Sequence, residues 1–280
     1  MRIIINPMLH LCKTLISLVL IILWPIFANG ATIFSDDFDS CTTNCNATTT
    51  TPPNSAAWTQ WHTDETSATV GGVKHYSGEI SSPGRGGTGK SLKLWRANGV
   101  FGNYSGSLVY SGGGVSHWFM RFYIKIPKAF SSSQDYKLWR WNTTGGSGEI
   151  YVNYYGNTWS IYDGKGWEAL LSSSQYSALR DGNWHCVEFE IGLATSILRF
   201  WIDGVLKYED TGRNWAATGQ LSMTQHFPLG NTYDHTGKWQ SGWQAMEVDD
   251  FVLSTTYVGP GAGAADIPKQ PNPPGNILLK

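Results

Sequence analysis

The chain has 280 residues, 20 of them basic and 21 acidic, for a net charge of -1, which gives no electrostatic case for nucleic-acid binding. Its 14 Trp and 13 Tyr are a heavy load for so few basic residues. The length suits one large all-β domain, since sandwiches and barrels run to about 200–250 residues as single units.

The first 30 residues read as an export signal. Arg2 and Lys13 precede an apolar run from Leu15 to Leu23, and the small residues Ala28 and Gly30 stand where a peptidase would cut before Ala31. A membrane anchor is the rival reading, but the run is short for a bilayer and is broken at Trp24-Pro25. Cleavage leaves 18 basic and 21 acidic residues, no stable anchor, and a secreted or periplasmic protein. Cys41 and Cys45 then lie in a Thr-rich loop, close enough to bridge in an oxidising compartment, with Cys186 unpaired. The C-x-x-x-C spacing, without a second pair or nearby His, is poor for zinc.

From Trp58 to Leu253, short runs of Val, Ile, Tyr, Phe and Trp alternate with Gly, Ser, Asn and Asp clusters, the pattern of many antiparallel strands. In chain order the strands are expected at 91–97, 107–110, 118–126, 136–141, 149–155, 158–162, 184–191, 197–202, 205–209, 220–227 and 245–254. So many strands in one domain need two sheets. Period-two alternation puts Met120, Phe122, Ile124 and Ile126 in the core, with Phe119, Arg121, Tyr123 and Lys125 opposite. In the same way Val187, Phe189 and Ile191 point inward, and Glu188 and Glu190 read as a solvated face. Asp203-Gly204 turns a hairpin, with Trp201 and Arg199 on the face opposite Phe200 and Ile202. The domain is expected over 31–258, and residues 259–280 form a Pro/Gly-rich tail without a core pattern, expected to be disordered.

Three stretches resemble the concanavalin A-like jelly rolls: Asn183-Trp184-His185-Cys186-Val187-Glu188, then Leu198-Arg199-Phe200-Trp201-Ile202-Asp203-Gly204, then Val248-Asp249-Asp250-Phe251-Val252-Leu253-Ser254-Thr255. That superfamily holds laminin G-like domains, lectins, glycosidases and polysaccharide lyases. The resemblance implies an all-β, two-sheet antiparallel jelly-roll sandwich and leaves the reaction open. It also implies that the last strand, with Asp249 and Asp250, pairs near Asp36-Asp37-Phe38. Asp37 and Asp250 would then be candidate ligands of a structural calcium ion, or plain strand caps; no other cofactor is required.

A retaining glycosidase of the laminarinase-like group would need a second carboxylate after Glu247-Val248-Asp249, where Phe251 and Val252 stand. A polysaccharide is the expected partner, because flat aromatic faces stack on sugar rings at little entropic cost. If the strands around them pair, Arg121, Tyr123, Lys137, Trp139, Arg140 and Asn153, with Trp201, line a groove suited to an anionic sugar. Gln225-His226, Tyr233 and His235 partly match the Gln, His and Tyr of alginate-type lyases, though adjacent Gln225 and His226 point oppositely. Any enzyme here is thus expected to be a lyase, with His226 as base and Tyr151 or Tyr233 as acid. The alternatives are a non-catalytic lectin and a laminin G-like adhesive protein.

Overall fold

The computed structural model describes residues 32–42, 45–46, 58–61, 67–70, 72–76, 78–96, 108–128, 136–144, 149–155, 158–163, 166–215, 222–228 and 244–261. The expected signal, Tyr233, His235 and the tail beyond Gly261 lie outside them. Two antiparallel sheets form the body. The first runs β15 (Val205–Asp210), β14 (Ile197–Ile202), β13 (Trp184–Gly192), β8 (His117–Lys125), β17 (Gln244–Ser254), β6 (Ser91–Arg96), β5 (Gly78–Ser81), and β1 (Thr32–Asp36) also pairs with β17. The second runs β12 (Trp167–Ala169), β11 (Thr158–Tyr162), β10 (Glu149–Tyr155), β9 (Tyr136–Thr144), β16 (Ser222–Pro228), β7 (Leu108–Val115), β2 (Gln60–Trp61). A hairpin of β3 (Ser67–Val70) and β4 (Val73–Tyr76) stands apart.

The long strands fall where the alternation expects them. The pattern does not signal β1 to β5 or β12, which have five residues or fewer, too few for a period to register. It also does not signal helix α1 (Ser173–Leu179), which opens on a capping box: Ser172 Oγ accepts from Gln175 N at 3.2 Å, and Ser172 N donates to Gln175 Oε1 at 2.8 Å. The helix buries Tyr176 and Leu179.

Aromatic rings fill the space between the sheets. Trp139 of the second sheet meets Phe122 and Phe189 of the first at ring-centroid distances of 5.0 and 5.4 Å, and Trp141 meets Phe189 at 5.9 Å. Phe189 and Phe200 pack at 4.6 Å. The inward set expected for β8 and β13 is the core set.

The middle of the first sheet's outer face is covered. Residues 257–261 lie across it: Glu188 accepts from Val258 N and Gly259 N, both at 2.7 Å, and Tyr257 packs on Trp201 at 5.1 Å. A Cβ at Gly204 would sit 3.2 Å from the Pro260 ring, so the Asp203-Gly204 turn leaves room for the strap as well as the positive φ of a tight hairpin. Glu188 is therefore 1% exposed, and Glu190 is engaged by His117 Nε2 at 2.8 Å and Arg199 Nη1 at 2.9 Å. The expected solvated pair of glutamates is corrected, because pattern along one strand cannot reveal what a distant segment covers. The packed chain likewise continues past residue 258 to Gly261.

Burial pushes Glu188 up to about 7 despite its two backbone donors, and pushes Asp249 to about 7 as well. Both fold with a higher proton affinity than they have unfolded, so stability rises as pH falls through about 7. His185, whose Nδ1 meets Asp203 at 2.7 Å, is raised chiefly by that bond, so its stabilisation is full below its unfolded value and is lost as pH rises. Asp181 works the other way: hydrogen bonds from Asn183 and His185 outweigh burial and hold it low, so its contribution is lost in acid. Unfolding free energy should therefore be a few kcal/mol greater at about pH 5 than at about pH 8, and Glu188→Gln should flatten the slope. Denaturant titrations across pH measure this; a slope of opposite sign would contradict the burial.

Cys41 and Cys45 are bonded to each other, as the spacing suggests, and Cys186 is a free, buried thiol. Burial pushes that thiol up to about 12, so a chain of residues 31–280 should take up no thiol reagent when native and one equivalent when unfolded. A native protein that labels rapidly would contradict this placement of Cys186. Among the described residues no helix is long and apolar enough to cross a membrane.

Candidate functional site

Polar and aromatic residues share register positions across the second sheet. Register alignment makes one row across four strands: Arg140 opposite Tyr151, Tyr151 opposite Tyr162, Tyr162 opposite Trp167. Neighbouring strands lie about 4.8 Å apart, so the row extends over roughly 14 Å, a length on the scale of a few sugar rings. Trp167 is 39% exposed, and its ring lies 5.4 Å from that of Tyr162. Arg140 is half-buried and donates from Nε to Asn142 Oδ1 at 2.8 Å, which aims the guanidinium along the strand. Asn142 is aligned with Glu149 on one side and Gln225 on the other. Asn153 is aligned with Lys137 and with Ser160.

The far edge of this face is braced. Buried Arg213 reaches Asp163 Oδ2 at 2.8 Å and Glu168 Oε2 at 2.5 Å, and its guanidinium lies 4.9 Å from the Trp215 ring centroid. Glu168 also accepts from Tyr208 of the first sheet. β12, the short strand that carries Trp167, is thereby tied to both sheets.

Several expected groove residues lie elsewhere. Trp139 is fully buried, because a bulge at Leu138 puts two residues of β9 against one of β10 and sends both Leu138 and Trp139 inward. Arg121 belongs to the first sheet, is 9% exposed, and lines a cavity with Asp36 and Asp250 instead of meeting Lys137 or Arg140. Tyr123 lies beneath the Arg85 guanidinium, 4.0 Å from its ring centroid, and burial raises its hydroxyl. Trp201 is covered by Tyr257. These four are withdrawn from the groove. Lys137, Arg140, Tyr151 and Asn153 are brought onto neighbouring strands of one sheet. His226 is in register with Trp141 and Tyr110, both part of or packed on the core, whereas Gln225 is in register with Asn142 and exposed Ser111.

Asp37 and Asp250 do line one cavity, of about 370 Å³, as the expected pairing of β1 with β17 requires. The charge that meets Asp250 is Arg85, bonded through Nε at 2.6 Å and a second nitrogen, with Arg121 on the same wall. Asp36 is occupied by Phe38 N at 2.9 Å and Trp58 Nε1 at 2.6 Å. Arginine thus balances Asp250, Asp37 accepts from Asp39 N at 3.1 Å, and among the described residues no group of three or more His, Cys, Asp or Glu is set to hold a metal. Glu247, the first acid of the incomplete glycosidase pattern, is paired with Lys125 at 2.9 Å.

Sequence reasoning missed Asn142, Tyr162 and Trp167. The alternation of β11 does separate Tyr162 from buried Ile161, but the three-residue strand bearing Trp167 has no periodic signal. Only the pairing of β11 with β12 brings it into the row.

No known family profile matches the chain, and no curated protein does. Among solved structures, a cellulose-induced protein is 17% identical at a TM-score of 0.51, over 81% of this chain and 100% of that one. An alginate lyase of polysaccharide lyase family 7 is 14% identical at a TM-score of 0.42, over 63% of this chain and 81% of that one. The binding domain of a paraclostridial mosquitocidal protein is 14% identical at 0.44, over 65% of this chain and 43% of that one. Two antiparallel sheets packed on an aromatic core, with the last strand between β8 and β6 and also paired to the first, make this chain an all-β, two-sheet jelly-roll sandwich.

Proposed function

We propose that this is an exported protein that binds an acidic polysaccharide along the outer face of the second sheet and cleaves it by β-elimination. The observation that carries the reading is the row Arg140, Tyr151, Tyr162 and Trp167, a cation at one end and an exposed indole at the other. The aromatic half suits the apolar faces of sugar rings. The other half suits the chemistry: a uronate carboxylate must be neutralised before its neighbouring C5 proton is removed, and Arg140, with Asn142 and Asn153 on adjoining positions, supplies hydrogen-bond donors for it. Tyr151 stands opposite Arg140 and is assigned both proton transfers, taking the C5 proton as a phenolate and returning it as a phenol to the leaving 4-oxygen as the C4–O bond breaks. His226, expected as base, is aligned with the core-facing row, which favours Tyr151 over it. The disulfide supports export.

The test is incubation of purified protein with alginate, glucuronan and neutral glucans, following ultraviolet absorbance of the unsaturated product alongside binding to each polymer. Unsaturated product from a uronate polymer is expected. Binding without product would leave a lectin, and no binding to any glycan would favour an adhesive protein.

A further inference from the structure

A second cavity, of about 410 Å³, opens at the edge of the first sheet, among β4, β5, β6 and the loop that holds the disulfide. One carboxylate organises it. Glu79 Oε1 accepts from Trp95 Nε1 at 2.9 Å and meets His75 Nδ1 at 2.9 Å, while Oε2 accepts from Tyr76 N at 3.3 Å. The two rings are thus fixed against each other, with centroids 4.1 Å apart. Ile80 N donates to Cys45 O at 2.6 Å, and Asn46 bridges to Glu79, so the disulfide loop closes one wall rigidly.

What the cavity leaves for a ligand follows from these bonds. Both oxygens of its carboxylate are spent internally. With Nδ1 turned to Glu79, His75 presents Nε2, which no described residue engages. Lys93 stands beside Trp95 with its ammonium on Ser82 O at 3.0 Å, and the Lys74 ammonium lies 5.1 Å from the Tyr76 ring centroid. An aromatic wall carrying two ammonium groups, one acceptor nitrogen and a carboxylate already bonded to three internal donors suits a sugar ring that bears hydroxyls and a negative charge. The volume is in the range of small-ligand sites, and fixed rings lose little freedom on binding.

We propose that this cavity is a second glycan site that takes one uronate residue, its ring against Trp95, its carboxylate toward Lys93 and a ring hydroxyl donating to His75 Nε2. It lies on the other sheet from Arg140 and does not depend on the lyase reading. Binding here would hold a polymer, or a second strand of it, independently of the row on the second sheet.

The experiment is a titration of nitrogen-15-labelled protein with a glucuronate oligosaccharide and, separately, with a neutral glucose oligosaccharide, reading the indole N–H signals, with that of Trp95 assigned through Trp95→Phe. The glucuronate oligomer is expected to shift the Trp95 signal more than the neutral one. Lys93→Ala should weaken that shift's midpoint about tenfold or more, while Arg140→Ala leaves it unchanged. His75→Gln, which keeps a hydrogen-bonding side chain, serves as the second variant and should also weaken it. An unmoved Trp95 signal, an equal response to the neutral sugar, or unchanged midpoints in folded Lys93→Ala and His75→Gln would overturn the proposal. A Trp95 response with no shift of the Trp167 indole signal would count against the lyase face alone.

Discussion

Replacing Trp139 with Ala is expected to lower the unfolding free energy by about 3–5 kcal/mol. Its ring contacts Phe122, Trp159 and Phe189, joining its own strand to three others across both sheets, so truncation leaves a cavity that neighbours on fixed strands cannot fill. The neighbouring substitution Arg140→Ala should cost far less, because Arg140 lies on the opposite face, half-buried, with a side-chain bond to Asn142. Denaturant titration of the two variants compares them directly. If Arg140→Ala proved the more damaging, the bulge that turns Trp139 inward would be misplaced by one residue.

Tyr151→Phe, which removes one hydroxyl and nothing else, is expected to have a large effect on rate alone. General acid–base groups typically supply about 10²–10⁴-fold in rate, so product formation from a uronate polymer should fall by about that factor with polymer binding retained. Arg140→Ala should weaken both, since the same guanidinium would hold the sugar carboxylate in the bound state and as the C5 proton leaves. Steady-state kinetics with a parallel binding isotherm separate the two cases. Equal loss of binding and rate in Tyr151→Phe would make that tyrosine a contact residue with no part in proton transfer.

Much of the fold is legible in the sequence because its long strands alternate strongly. Phe122, Val187, Phe189 and Phe200 could be assigned inward from period two alone. Alternation fails at bulges, and a bulge fell at the place that mattered most: with Leu138 inserted, Trp139 sits among polar neighbours in sequence yet faces the core. The site was harder to read because its membership is set by pairing. Arg121 and Arg140 look alike in sequence but belong to different sheets, and Trp167 joins Tyr162 only through an edge strand of three residues. Burial of Glu188 depends on a segment 70 residues away, which no local pattern encodes.

The central claim is that the outer face of the second sheet, and Arg140 within it, holds the acidic polymer. The most direct measurement is calorimetric titration of wild type, Arg140→Glu and Lys93→Ala with the polyuronate that gives product or, failing product, binds most tightly. Reversing the charge at Arg140 should abolish the binding event assigned to this face and all turnover, while Lys93→Ala keeps both. Undiminished polymer binding and turnover in a folded Arg140→Glu protein would contradict the account.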